Sequence, residues 1–210
     1  MEDLSAYLKP TSFINSDHSS LQVLVEGLTA PADNNAQKIS KLFYYVRDMV
    51  HYNMYTTSSA GEGYKASRII EKGKGFCAQK AIVFTALARA AGIPSRLVLV
   101  AIRNHKAPPE VVEVMKTDIF FPHIYNQFYI NSQWISAAAT FDKIICDRIN
   151  VAAVEFDGLS DALLPSQDLN GDPYIDYVDQ YGIFADFPYD LILENMPKYY
   201  GEAYTMWFEM

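Results

Sequence analysis

The sequence predicts an α+β domain in which an apolar helix led by a cysteine packs on a small antiparallel sheet. Three observations carry that expectation. Gly73-Lys74-Gly75-Phe76-Cys77 runs straight into an apolar segment that is stopped by Gly92 and Pro94, as a helix would be. Residues 96–103 form a nearly continuous aliphatic run, which reads as a strand buried on both faces. Residues 123–130 and 133–140 flank Asn131-Ser132, a hairpin pattern whose two-residue turn is weaker than Asn-Gly.

The other elements follow in order. Residues 1–20 are irregular, and 21–29 read as a short helix. Apolar residues at Ile39, Leu42, Phe43, Val46, Met49 and Val50 recur in steps of three and four, an amphipathic helix with Asp33 or Asn34 as its N-cap. Residues 56–63 are a loop, 65–72 a further short helix, and 104–118, with Pro108-Pro109, a connection. Beyond residue 150 the chain is turn-rich and aromatic, with no second core of its own. The expected organisation is therefore a core over 1–149 and an acidic, aromatic-rich extension over 150–210 that packs on it.

The chain has 210 residues, half of them hydrophobic, including 15 Tyr, 12 Phe and 2 Trp, enough for a substantial core without staples. Two cysteines, Cys77 and Cys146, exclude a disulfide framework, and no zinc-type spacing accompanies them. No metal or cofactor is expected. Net charge is −8, divided between +3 for residues 1–148 and −11 for 149–210. Nothing here supplies the basic face of a nucleic-acid binder. The acidic part either docks on the mildly basic front or simply solvates itself. The first residues carry acids where a signal peptide needs bases, and the longest aliphatic run, 97–102, is too short to span a bilayer. A cytoplasmic protein without membrane attachment is the expectation.

Chemistry concentrates around Cys77. A cysteine in the first turn of a buried helix lies among unpaired N–H groups at the positive end of the dipole, an environment that favours the thiolate nucleophile. Such a nucleophile needs a base. His18 and His105 lie in irregular polar stretches and His51 ends a helix. His123 opens a strand, which can hold an imidazole rigidly against a helix start. With a two-residue turn, paired positions in the hairpin sum to 263, so His123 lies opposite Thr140, with positions 138 and 142 as diagonal neighbours ~7–8 Å away on the same face. Ala138 cannot orient an imidazole. Asp142 can, if the strand continues that far. Cys146 reads as buried packing. Asp168-Leu169-Asn170-Gly171-Asp172 imitates part of a calcium loop but lacks its full spacing and bidentate Glu, and reads as a hydrogen-bonded turn.

Gly75-Phe76-Cys77 together with Ala88-Arg89-Ala90-Ala91-Gly92-Ile93-Pro94-Ser95-Arg96 resembles the cysteine block of the transglutaminase-like superfamily. His123-Ile124-Tyr125-Asn126-Gln127-Phe128-Tyr129-Ile130, followed by Trp134-Ile135, resembles its histidine block, and Val46-Arg47-Asp48-Met49-Val50-His51-Tyr52 resembles the segment placed before the cysteine. The likeness covers roughly residues 35–145 in matching order. It implies a papain-like core and a Cys-His-Asp catalytic triad for acyl transfer from amides, with Cys77 as nucleophile and His123 as base. Members usually place the Asp four residues after the tryptophan, which here is Ala138. Asp142 stands in its place as a surrogate. The oxyanion would rest on the Cys77 N–H, with Gln79, Tyr52 and Asn53 as candidates for a second donor. The expected function is a cysteine-dependent amide hydrolase or acyltransferase acting on a peptide, protein or other amide through a thioester. The alternative, favoured by Ala138, is a binding or scaffold module that keeps the fold without the chemistry.

Overall fold

A computed structural model describes residues 3–56 and 61–201. Two helices lead: α1 (Ser19–Thr29) and α2 (Asn35–Met49), the latter capped by Asn34, whose side chain accepts the Gln37 N–H. The short strands β1 (His51–Tyr52) and β2 (Lys74–Gly75) pair in parallel on either side of α3 (Ala66–Lys72). They deliver the chain into α4 (Cys77–Ala90), then β3 (Ser95–Asn104), α5 (Pro109–Met115), β4 (Ile119–Ile130) and β5 (Gln133–Ala137). α6 (Lys143–Arg148), β6 (Ile175–Phe184) and α7 (Tyr189–Tyr200) complete it. The expected connection over 104–118 thus contains a helix, entered at Pro109, where a missing N–H costs nothing.

The main sheet runs β5-β4-β3-β6, every neighbour antiparallel. α4 lies on one face, surrounded by α1, α2 and α3, and every residue from Cys77 to Arg89 is buried. Small alanines make this possible by letting neighbouring elements approach closely on all sides. Its two basic residues are satisfied by carbonyls. Lys80 Nζ donates to Arg47 and Val50 at 2.9 and 2.6 Å, and Arg89 reaches Lys9, Ser95 and Ala185. The other face is covered by α6 and the segment after it, through Cys146, Val151, Leu164 and Tyr174.

Residues 150–201 do more than lie on this core. β6 adds an edge strand against β3, and α7 packs against β4. Gly158 passes so close to α2 that a Cβ there would come within 2.3 Å of the Ala36 carbonyl oxygen. Among the described residues, no helix is long and apolar enough to cross a membrane, and no cluster of metal-ligating side chains occurs.

Candidate active site

Cys77 is the first residue of α4, and Phe76 is its extended N-cap. Gln79 holds this entry in place. Its Oε1 accepts the Phe76 N–H at 3.2 Å and the Thr56 hydroxyl at 2.6 Å, while its Nε2 donates to the Thr56 and Gly63 carbonyls. Gly75 is needed beneath it, since a Cβ at that position would lie 2.9 Å from Gln79 Cβ. All of these groups are thus spent on structure, which removes Gln79 as an oxyanion donor. Tyr52 keeps its place in the cavity wall, whereas Asn53 turns its side-chain oxygen to the Tyr55 N–H.

The histidine strand is fastened to the cysteine helix through Asn126. Its Nδ2 donates to the Ala81 carbonyl at 2.9 Å and to the Thr85 hydroxyl at 2.8 Å, both on α4. These buried bonds fix the helix against the strand one turn beyond Cys77 and three residues beyond His123. The sequence offered a signal for this: an Asn in the middle of an otherwise apolar inward-facing set, Ile124, Asn126, Phe128 and Ile130. A buried amide requires partners, and α4 provides them.

β5 follows the expected register, with Ile130 opposite Gln133 and Asn126 opposite Ala137, but it ends there. Beyond it, the chain turns to residue 162, where the Ala138 N–H and the Ser136 carbonyl both bond. The edge of β4 at residues 122–124 is therefore left without β5, and Cys77 fills the opening. Its Sγ lies 3.3 Å from the Pro122 carbonyl oxygen, one residue before His123. Alternation sends the His123 ring to the face it shares with its partner Val100, away from α4. There the edge of Tyr177 meets it at 6.1 Å between centroids. Cys77, His123 and Thr140 line one cavity.

Asp142 is not part of this arrangement, and the surrogate role is corrected. It is the N-cap of α6, with Oδ1 accepting the Ile145 N–H at 3.1 Å and Oδ2 accepting the Tyr52 N–H at 3.0 Å. The extrapolated register fails because β5 stops at Ala137, so the strand never brings position 142 beside His123. Its charge faces another group. Burial pulls the Lys80 ammonium down to about 7, and the Asp142 carboxylate is the largest influence holding it up. Among the described residues, no carboxylate is hydrogen-bonded to the imidazole. His123 Nε2 is buried without a hydrogen-bond partner among the described residues, and Ala138 lies in the apolar cluster behind it.

Protonation follows from burial. The Cys77 thiol is pushed up to about 12, against which the nearby N–H groups of Ile124, Ala78 and Cys77 itself work only in part. The His123 imidazole is pulled down to about 3, again by burial. The expected thiolate is thus replaced by a neutral thiol, and the imidazole that lines the same cavity is neutral as well, because desolvation here exceeds the pull of the helix dipole. The remaining histidines lie elsewhere: His18 caps α1 and His105 pairs with Asp176 at 2.8 Å. The Asp168 loop is a hydrogen-bonded turn whose carboxylate accepts the Asn170 and Asp172 N–H groups and pairs with Lys106.

One further residue was not foreseen. The Tyr200 hydroxyl of α7 accepts the Phe121 N–H at 2.7 Å and donates to the Phe121 carbonyl at 2.8 Å, clamping the strand directly before Pro122 and His123. The extension's aromatic richness was visible, but the strand that this hydroxyl meets could not be read from spacing.

A cysteine thus opens a buried helix at the free edge of an antiparallel strand, in a cavity that a histidine of that strand also lines. The sequence matches the transglutaminase-like superfamily over residues 22–139, more than half of the chain, and the protein belongs to that superfamily. No curated protein matches it. Among solved structures, it is similar to a provisionally named cysteine protease from Cytophaga hutchinsonii, at 20% identity and a TM-score of 0.52, over 87% of this chain and 54% of that one. A provisionally named protease from Parabacteroides distasonis shares 14% identity at a TM-score of 0.42, over 61% of this chain and 26% of that one. The periplasmic domain of TgpA from Pseudomonas aeruginosa shares 18% at 0.45, over 66% and 49%. The chain thus spans about half the length of the first of these, and the likeness is one of fold.

Proposed function

We propose that the protein is a cysteine-dependent amide hydrolase or acyltransferase working through a thioester. The observation that carries this reading is the Cys77 sulfur, 3.3 Å from the Pro122 carbonyl oxygen at the open edge of the histidine strand, in a cavity that His123 also lines. In this reading the thiol leaves the Pro122 carbonyl when an amide enters. His123 takes its proton as sulfur adds to the carbonyl carbon, and the oxyanion rests on the Cys77 N–H. His123 then returns that proton to the leaving amine, and water or a second amine resolves the thioester. Starting from two neutral groups, the proton moves with the attack rather than before it. Hydrolysis is the simpler outcome, since no site for a second amine is evident among the described residues.

A second reading keeps the fold as a binding module. It is favoured by Ala138 at the position of the usual acid and by the unpartnered His123 Nε2. Acid-quenched mass spectrometry during turnover of peptide amides separates the two. The proposal expects an acyl adduct on Cys77 that is absent from Cys77→Ala. Bound peptide with neither adduct nor cleavage supports the binding module.

A further inference from the structure

We infer that the cavity beside Cys77 accepts an uncharged, compact aliphatic acyl side chain, so that the substrate is an amide of a leucine- or valine-like residue. This rests on the proposed acyl-transfer reading and specifies it. Among the described residues, no Asp, Glu, Lys or Arg lines the cavity. Its walls are apolar, with the rings of Tyr64, Phe76 and Phe187, the thioethers of Met115 and Met196, and the aliphatic side chain of Ile192. A charged side chain entering it would lose water and find no counter-charge.

Size narrows the class further. The cavity volume is about 90 Å³, below the roughly 150 Å³ of an engineered apolar cavity that binds benzene. The space suits a branched group of three or four carbons and is too small for a phenyl or indole. Two of the polar groups on its wall are also closed to a glutamine amide. The Asn104 side-chain oxygen is already engaged by the Lys106 N–H, and the Tyr200 hydroxyl by both backbone groups of Phe121. An amide buried without partners is disfavoured.

Selectivity of this kind comes largely from outside the superfamily span. Ile192, Met196 and Tyr200 belong to α7, which lies beyond residue 139 and is brought to the cavity by β6 pairing with β3. Ile192 and Met196 are buried and one helical turn apart, so they present one continuous apolar wall.

Calorimetric binding to the full-length Cys77→Ala variant tests the inference separately from catalysis. The probes are hexapeptides of identical sequence bearing Leu, Phe, Gln, Glu or Lys at the acyl position. Leucine is expected to bind best, ahead of glutamine by roughly 10-fold or more and ahead of Glu and Lys by about 100-fold. Replacing Met196 with Glu should reverse the order of Leu and Lys, while Met196→Leu preserves it, with thermal melts reporting the folding of both. Leucine binding without turnover by the wild type would sink the catalytic reading and leave this one standing. Equal binding of the Gln, Glu or Lys peptides, a preference for Phe, or no binding of the Leu peptide would overturn it.

Discussion

Cys77 and Cys146 are nearly indistinguishable by local measures, yet of the two only Cys77 lines the cavity. Both are buried and free, and burial raises both thiols, to about 12 and about 11. Cys146 sits inside α6 among Val98, Val100, Ala138 and Val151. Cys77 stands at the start of α4, at a strand edge that β5 leaves open, and borders a cavity shared with His123. The difference teaches that, if Cys77 is the nucleophile as proposed, neither thiol acidity nor exposure singles it out. What singles it out is the gap at the end of β5, which places one sulfur on a cavity that His123 also lines.

The largest expected effect breaks that comparison outright. Cys77→Ser should reduce kcat/KM on peptide amides by roughly 10⁴-fold or more. Cys146→Ala should leave kcat/KM nearly unchanged, while a urea melt registers about 1 kcal/mol of lost packing. Comparable losses of activity in both variants would mean that the cavity does not select between the two sulfurs.

Next in size is the response of stability to pH. His123 titrates near 6.5 when unfolded and is held down to about 3 in the fold. Below pH 6.5 the unfolded chain therefore binds the proton that the native state refuses. Stability should fall by about 1.4 kcal/mol for each pH unit between 6.5 and 3. On the alkaline side, the raised Cys77 thiol lowers stability as pH climbs past the ordinary thiol range, because the unfolded thiol ionises first. Urea melts of wild type and His123→Ala across pH check the acid limb, which should flatten in the variant.

Restoring the family's acid sharpens the contrast further. Ala138→Asp places a carboxylate on the His123 face of the sheet, and an opposite charge nearby raises an imidazole pKa by ~1–3 units. The acid limb of the kcat/KM profile should move upward accordingly. Ala138→Asn, with the same shape and no charge, should leave the limb in place. A carboxylate that moves nothing would show that the imidazole does not face position 138.

The smallest effect concerns Asp142. Its loss in Asp142→Ala removes the α6 cap and the acceptor for the Tyr52 N–H, costing about 1–2 kcal/mol in a denaturant melt. The pH at which activity falls on the acid side should not move, since the carboxylate touches no imidazole nitrogen. A clear downward shift of that limb would return Asp142 to the histidine.

Wherever one element's own periodicity or turn chemistry set the answer, the sequence was sufficient. The three-and-four spacing through Ile39, Leu42, Phe43 and Val46 determined α2 and narrowed its cap to Asp33 or Asn34, of which the structure uses Asn34. The run after Cys77 determined α4, and the Asn131-Ser132 turn determined a register in which Ile130 meets Gln133. These placed Cys77 and His123 on the right elements, because side-chain direction in a helix or hairpin follows from local geometry. Three matters were decided only by the tertiary structure. The length of β5 depended on the competing pairing with residue 162, and with it went the fate of Asp142. The protonation of Cys77 and His123 depended on how much protein surrounds them, which outweighs a helix dipole that the sequence alone made visible. The role of α7 depended on β6 finding β3, a pairing across about seventy residues of intervening chain. Burial and long-range pairing are properties of the assembled whole, and no spacing within a single segment encodes them.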